Sequence, residues 1–336
     1  MGARLHEADG EAASAKSSVE SRAPAPLAMS VDQESMREEN SREASGIAGN
    51  AYLLLALASL FWSGNHVVGR AIADLVPPVG ISTARWLLPV VVLWPFAKAP
   101  LQRDWPRIRS HGRLLLFLGV TGGAIFTVGQ YVGLQYTTAL NVSVLNSLTP
   151  VVIVAWGAAI FGDRLKLRQY IGIAISLCGV LAIVTQLEPK TLLDLSFNRG
   201  DVIIVGNMAL VGIYTCYLRR LPPLHWLSFI FVFALISAVC TLPFAVWEHF
   251  SGFVFRFTAL AVFAVAYVAI FPSVIAYAAY TRGVELIGPN RAGPFLHLIP
   301  LYSALLASVF LGERLMAYHA LGFALILTGV WLAARR

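Results

Sequence analysis

The chain has 336 residues, of which 57% are hydrophobic and only 13% charged, with a mean hydropathy of +0.70 and a formal charge of +7. A soluble domain carries about 25% charged residues, so this balance excludes a water-soluble globular protein and points to the bilayer as solvent. The basic excess does not indicate nucleic-acid binding, because Lys and Arg stand between apolar runs rather than along one face.

Residues 1–48 hold five basic and nine acidic residues, are rich in Ala, Ser and Glu, and show no apolar period. They read as a disordered cytoplasmic tail. The tail lacks the apolar core of a signal peptide, and Met29 is a second candidate start. About ten apolar runs follow, near 51–71, 79–97, 114–135, 139–161, 168–186, 201–218, 224–246, 258–281, 290–311 and 316–334. Each is close to the roughly 20 residues that cross a bilayer as a helix. The pattern predicts an all-α integral membrane protein of ten transmembrane helices, with loops too short for a soluble domain. Cys178, Cys216 and Cys240 all lie inside apolar runs and read as small buried hydrophobes. Their spacing suggests neither a disulfide framework nor a metal site, and no cofactor is expected.

Placing the tail in the cytoplasm makes 98–113, 162–167, 219–223 and 282–289 inner loops. Fourteen Lys and Arg then fall on or beside the inner side, including the C-terminal end, and five fall outside. This bias satisfies the positive-inside rule with both termini in the cytoplasm of an inner (plasma) membrane.

IFGDRL at 160–165 returns as FLGERL at 310–315, an offset of 150. The same offset carries Gly133 onto Gly283, Pro150 onto Pro300, Asp163 onto Glu313, Arg164 onto Arg314, Gly172 onto Gly322 and Gly179 onto Gly329. Extended backwards, it sets Arg70 on Arg220. Each half therefore holds five spans, expected at 49–186 and 201–334. An odd number of spans inverts the second half, which gives an inverted-topology repeat, the plan of many secondary transporters.

The stretch GLQYTTALNVSVLNSLTPVVIVAWGAAIFGDRL (133–165) and its copy GVELIGPNRAGPFLHLIPLYSALLASVFLGERL (283–315) resemble the signature of the EamA branch of the drug/metabolite transporter superfamily. FWSGNHVVGR (61–70) and STARWLL (82–88) resemble its first- and second-helix motifs, although His66 stands where the family more often has a bulky apolar residue. The resemblance implies ten helices, a central cavity between the halves and export of small metabolites, often amino acids.

In the GDRL and GERL turns, Gly lets the chain leave a helix. Asp163 and Glu313 are then expected near the start of the next helix, where its dipole favours an acid, with the following Arg pairing with the acid or facing headgroups. Pro150 and Pro300 lie within the fourth and ninth runs, where each would remove a backbone donor and kink a helix beside the cavity. Gly119, Gly122, Gly123, Gly172, Gly179, Gly322 and Gly329 read as close-packing points.

Polar groups inside a span are costly and tend to face the interior, so they are the candidate substrate contacts. Trp62, Asn65 and the adjoining His66 make a stripe on the first helix. Arg85 is placed to grip a carboxylate in bidentate fashion, with pairing to backbone carbonyls or snorkelling as alternatives. Gln130 and Tyr131, Asn141 and Asn146, and His297 are further candidates, and for the lone amides an interhelical hydrogen bond is the competing role. Tyr214 with Tyr217, and Tyr277 with Tyr280, are pairs three apart whose rings carry a polar tip.

The nine acids after the tail, Asp74, Asp104, Asp163, Glu188, Asp194, Asp201, Glu248, Glu285 and Glu313, fall at loops or helix ends. A facilitator, or coupling through His66 or His297, is therefore expected. The chain has neither HExxH nor GxSxG, and an enzyme is not expected. The reading is a carrier exporting small hydrophobic or zwitterionic metabolites, amino acids first, in contact with membrane lipid. Purines or drugs are the alternative substrates, and a non-transporting receptor or scaffold is the alternative class. Oligomeric state is not legible, since lipid-facing and partner-facing apolar faces look alike.

Overall fold

The computed structural model describes residues 49–335 apart from 73–74, 138–141, 143–144, 189, 191–197, 254 and 312–314. The tail, Glu313 and Asn141 lie outside the described residues. The remainder forms ten helical stretches and, among the described residues, no strand.

In chain order these are α1 (Ala51–Ala71), α2 (Pro78–Ser110), α3, α4 (Thr149–Phe161), α5 (Leu167–Val184), α6 (Arg199–Tyr217), α7 (Trp226–Phe250), α8, α9 and α10 (Ala317–Ala334). Three of them are composite. α3 runs Gly112–Leu118, widens into a π turn over Gly119–Ile125, and continues as Phe126–Leu134. α8 repeats that design as Ala259–Ile270, a π turn over Phe271–Ile275, and Ala276–Ile287. α9 starts as Pro289–Ala292, tightens into a 3-10 turn over Gly293–His297, and proceeds as Leu298–Leu311.

Seven of the ten, α2, α3, α5, α6, α7, α8 and α10, are long and apolar enough to cross a membrane, while α4 and the apolar part of α1, Ala51–Asn65, are shorter. Large apolar side chains stand exposed on outer faces, as with Phe244, Trp247 and Phe250 on α7. In a membrane chain this surface meets acyl chains rather than water.

Two expectations about element ends are corrected. Residues 98–110, read as loop, continue α2 as one helix of 33 residues, about 50 Å long. Their charges end the apolar run without ending the helix, because Lys and Arg are good helix formers. Pro150 does not lie in a helix interior. It is the second residue of α4, where the ring's missing N–H is tolerated, whereas Pro300 lies inside α9, just after its 3-10 turn. Thr149 covers the backbone acceptor that Pro150 leaves, its hydroxyl donating to the Asn146 carbonyl at 2.7 Å.

The inversion is visible in how equivalent helices meet. α5 and α10 pack glycine to glycine. A Cβ added at Gly172 would lie 2.6 Å from the Gly329 carbonyl, and one added at Gly179 would lie 2.7 Å from the Gly322 carbonyl. Gly172 and Gly322 are repeat partners, as are Gly179 and Gly329, so each contact is the other's image under the 150 offset. The start of α5 meets the end of α10, so the two run antiparallel. This is the geometry of a two-fold axis lying between inverted halves.

α2 and α7 show the same reciprocity through their acids. Glu248, near the end of α7, accepts from Val79 N at 3.1 Å and Gly80 N at 2.7 Å in the first turn of α2. Asp104, near the end of α2, accepts from His225 N at 2.8 Å, the residue that opens α7. Each helix thus carries a carboxylate that satisfies the orphan donors and positive dipole end of the other.

Candidate functional site

The two π turns occupy equivalent places, both ending at positions related by 150, Ile125 and Ile275. Such turns break the regular ladder and are frequent at functional sites. Here each sits near the middle of a span, and α1, α2, α6 and α7 pack rings around them.

Six aromatic residues meet there. Tyr277 is central, with ring centroids 5.5 Å from Trp62, 5.2 Å from Trp86, 5.1 Å from Phe233 and 6.3 Å from Tyr214. Tyr280 lies 5.1 Å from Trp62. All but Trp62 are buried. Trp62 Nε1 donates to the Pro272 carbonyl at 3.0 Å, and Tyr277 Oη donates to the Gly122 carbonyl at 2.7 Å. Tyr280 Oη and Thr215 Oγ1 stand 3.4 Å apart.

Arg85 enters from α2 and is 5% exposed. Its Nε donates to Ser273 Oγ at 2.9 Å, and Ser273 donates in turn to the Val268 carbonyl at 2.8 Å. Its two terminal nitrogens have no hydrogen-bond partner among the described residues, and no carboxylate there pairs with it. A buried guanidinium without a counter-ion is costly unless something arrives to meet it.

The structure thus brings together Trp62, Arg85, Tyr214, Tyr277 and Tyr280. It adds Trp86, Phe233, Ser273 and the carbonyls of Gly122 and Pro272, which the sequence reading missed. The one signal lay in the repeat itself, since 122 and 272 differ by 150.

The other candidates are placed elsewhere. Gln130 and Asn146 face each other in a double amide pair, with N-to-O distances of 3.1 and 3.4 Å. His297 is 1% exposed, with Nδ1 2.7 Å from Ser176 Oγ and Nε2 2.7 Å from the Ser147 carbonyl, its own repeat partner. Both ring nitrogens are engaged by protein, so it pins the two halves together rather than joining the aromatic cluster. The Asn65 side-chain oxygen and the Tyr131 hydroxyl are buried without partners. Tyr217 packs on Phe117 and Phe161, at the end of α6. The side chain of His66 lies outside the described residues.

Asp163 departs from its expected role. Gly162 ends α4 with φ +67°, the left-handed conformation that favours glycine, but α5 begins only at Leu167, so Asp163 lies in the loop rather than in a first turn. Its partner is not Arg164. Arg219, at the end of α6, donates to it through both terminal nitrogens at 2.9 and 2.5 Å, and Asn290, at the start of α9, donates at 2.8 Å. The Arg219 hydrogen bonds hold this carboxyl below the usual carboxylate range against the opposing effect of burial. A depressed pKa makes the pair's contribution complete above the ordinary carboxylate pKa, to be lost only as pH falls below it. Between about pH 5 and 8 the latch is therefore insensitive to pH. Asp163→Ala is expected to lower folded yield while leaving the ratio of rates for two substrates unchanged. Normal yield with an altered ratio, measured by size-exclusion profile and vesicle uptake, would contradict this.

The profile of the EamA-like transporter family matches residues 49–185 and 198–335. The chain belongs to the EamA-like transporter family. This EamA chain is 27% identical over 292 residues to an uncharacterized transporter of Archaeoglobus fulgidus, covering 85% of this chain and 97% of that one. It is 25% identical over 292 residues to a probable terminal-alkyne amino-acid exporter of Streptantibioticus cattleyicolor, covering 84% and 92%. A solved crystal structure superposes with TM-score 0.68 at 19% identity, over 84% of this chain and 96% of the other, a likeness of fold. The EamA chain is thus a multi-pass membrane transporter, built on a fold already seen by crystallography.

Proposed function

We propose that this chain is a secondary carrier that exports amino acids or closely related hydrophobic and zwitterionic metabolites across the inner membrane by alternating access. One observation carries the reading: a buried Arg85, whose terminal nitrogens have no partner among the described residues, stands beside an aromatic cluster where two interrupted helices meet. The guanidinium suits a carboxylate in bidentate geometry, and the rings suit an apolar or amphipathic side chain. Discontinuous helices near the midplane, at the interface of inverted repeats, are where secondary transporters hold their substrates. The amino-acid exporter among the relatives supports the same class.

The acids described here cap helices or pair at helix ends, as Asp104, Asp163, Asp201 and Glu248 do. His297 is held by protein at both nitrogens. These roles support a carrier running down its substrate's gradient. The positive-inside bias supports cytoplasmic termini, and the Asp163–Arg219 latch then closes the cytoplasmic side between the two halves. Cells expressing the chain and fed a phenylalanine-containing dipeptide are expected to excrete phenylalanine several-fold faster than cells without it. Equal excretion at equal expression would contradict the proposal.

A further inference from the structure

The hydrogen bonds that Trp62 and Tyr277 make are to one acceptor position in two copies. Gly122 and Pro272 differ by the repeat offset of 150, and each offers its carbonyl from inside a π turn. The donors are not repeat partners. One is an indole on α1 and the other a phenol on α8. The fold therefore builds the acceptor twice, while the groups that cover it are unrelated side chains that a rotation can withdraw.

A carbonyl oxygen has two lone pairs, and unwound carbonyls within a membrane coordinate cations. Arg85 bonds to Ser273, the residue next to Pro272, so a cationic group and a carbonyl acceptor lie one residue apart in the chain. Opposite recognition groups bordering one aromatic cluster match a ligand carrying both charged groups on one carbon. An ammonium entering here needs acceptors, and the described carboxylates sit in loops or toward helix ends.

We propose, on the amino-acid reading above, that the Gly122 and Pro272 carbonyls bind the substrate's α-ammonium while Arg85 binds its carboxylate. In the present conformation Tyr277 Oη and Trp62 Nε1 occupy those carbonyls and act as stand-ins for the ammonium. Entry of the zwitterion exchanges two protein hydrogen bonds for charge-assisted ones and frees both rings to close over its side chain.

The test is competition against labelled phenylalanine uptake in proteoliposomes, using unlabelled phenylalanine and 3-phenylpropanoate, which keeps the ring and carboxylate but lacks the ammonium. In the wild type, 3-phenylpropanoate is expected to compete at least tenfold more weakly. Tyr277→Phe keeps the ring and uncovers the Gly122 carbonyl. It should lower the KM for phenylalanine several-fold and leave competition by 3-phenylpropanoate unchanged, so that the gap widens. Equal competition by the two compounds in the wild type would overturn the inference and leave the amino-acid reading standing, as would a gap that Tyr277→Phe fails to widen. If Tyr277→Phe does not fold, the wild-type comparison decides alone. Absence of phenylalanine uptake by folded wild type would remove the amino-acid reading and this inference with it.

Discussion

Arg85→Gln is expected to lower the initial rate of phenylalanine counterflow by about two orders of magnitude without reducing folded yield. A bidentate guanidinium–carboxylate contact in a site shielded from water is worth about 3 kcal/mol, which is about 150-fold. Folded yield should hold because, among the described residues, Arg85 makes one hydrogen bond, to Ser273, beside its stacking on Trp86, and Gln removes a buried charge that no described carboxylate offsets. Arg85→Lys should fall between the two, keeping the charge and losing the fork. Rates within threefold of wild type for Arg85→Gln would show that the guanidinium does not hold the substrate's carboxylate. A collapse in yield would show that Ser273 depends on it.

The second large effect is on assembly. Gly329→Ala places a Cβ 2.4 Å from Ser176 N and 2.5 Å from the Gly172 carbonyl. Both are backbone atoms of α5 and cannot rotate away. Helices in a membrane are held by close backbone approach rather than by exclusion of water, so one methyl group must separate α5 from α10. The expected cost is about 3 kcal/mol, at the upper end for overpacked cores and a sizeable fraction of a fold's net stability. Detergent-solubilised Gly329→Ala should lose its monodisperse peak or melt well below wild type. Gly206→Ala is the control, because nothing lies within 4 Å of its added Cβ. Equal melting of the two variants would contradict the packing described here.

The halves were legible because their repeat is gapless and written in Gly and Pro, residues with few substitutes at a turn or a close contact. Gly172 and Gly179 anticipated the glycine-to-glycine seam, and Gly162 anticipated the end of α4. The partners were not legible. Asp163 meets Arg219 across 56 positions and Asn290 across 127, distances over which local pattern carries no information. The π turns were hidden for another reason. GVTGGAI and FPSVI are apolar like the helices around them, and a widened turn arises from what packs against it. Arg85 stood out as a cation inside a span, but its neighbour Trp86 read as an ordinary apolar residue. Its burial between Phe233 and Tyr277 emerges only when α7 and α8 are in place. The long α2 was missed because hydropathy reports where lipid ends and not where a helix does.

The most direct test of the account is counterflow: purified protein in liposomes loaded with unlabelled phenylalanine, and the time course of labelled phenylalanine entering. Transient accumulation above the external concentration is expected, with the label leaving again as the internal pool runs down. Entry no faster than into protein-free liposomes, by protein that elutes as a single folded peak, would contradict it.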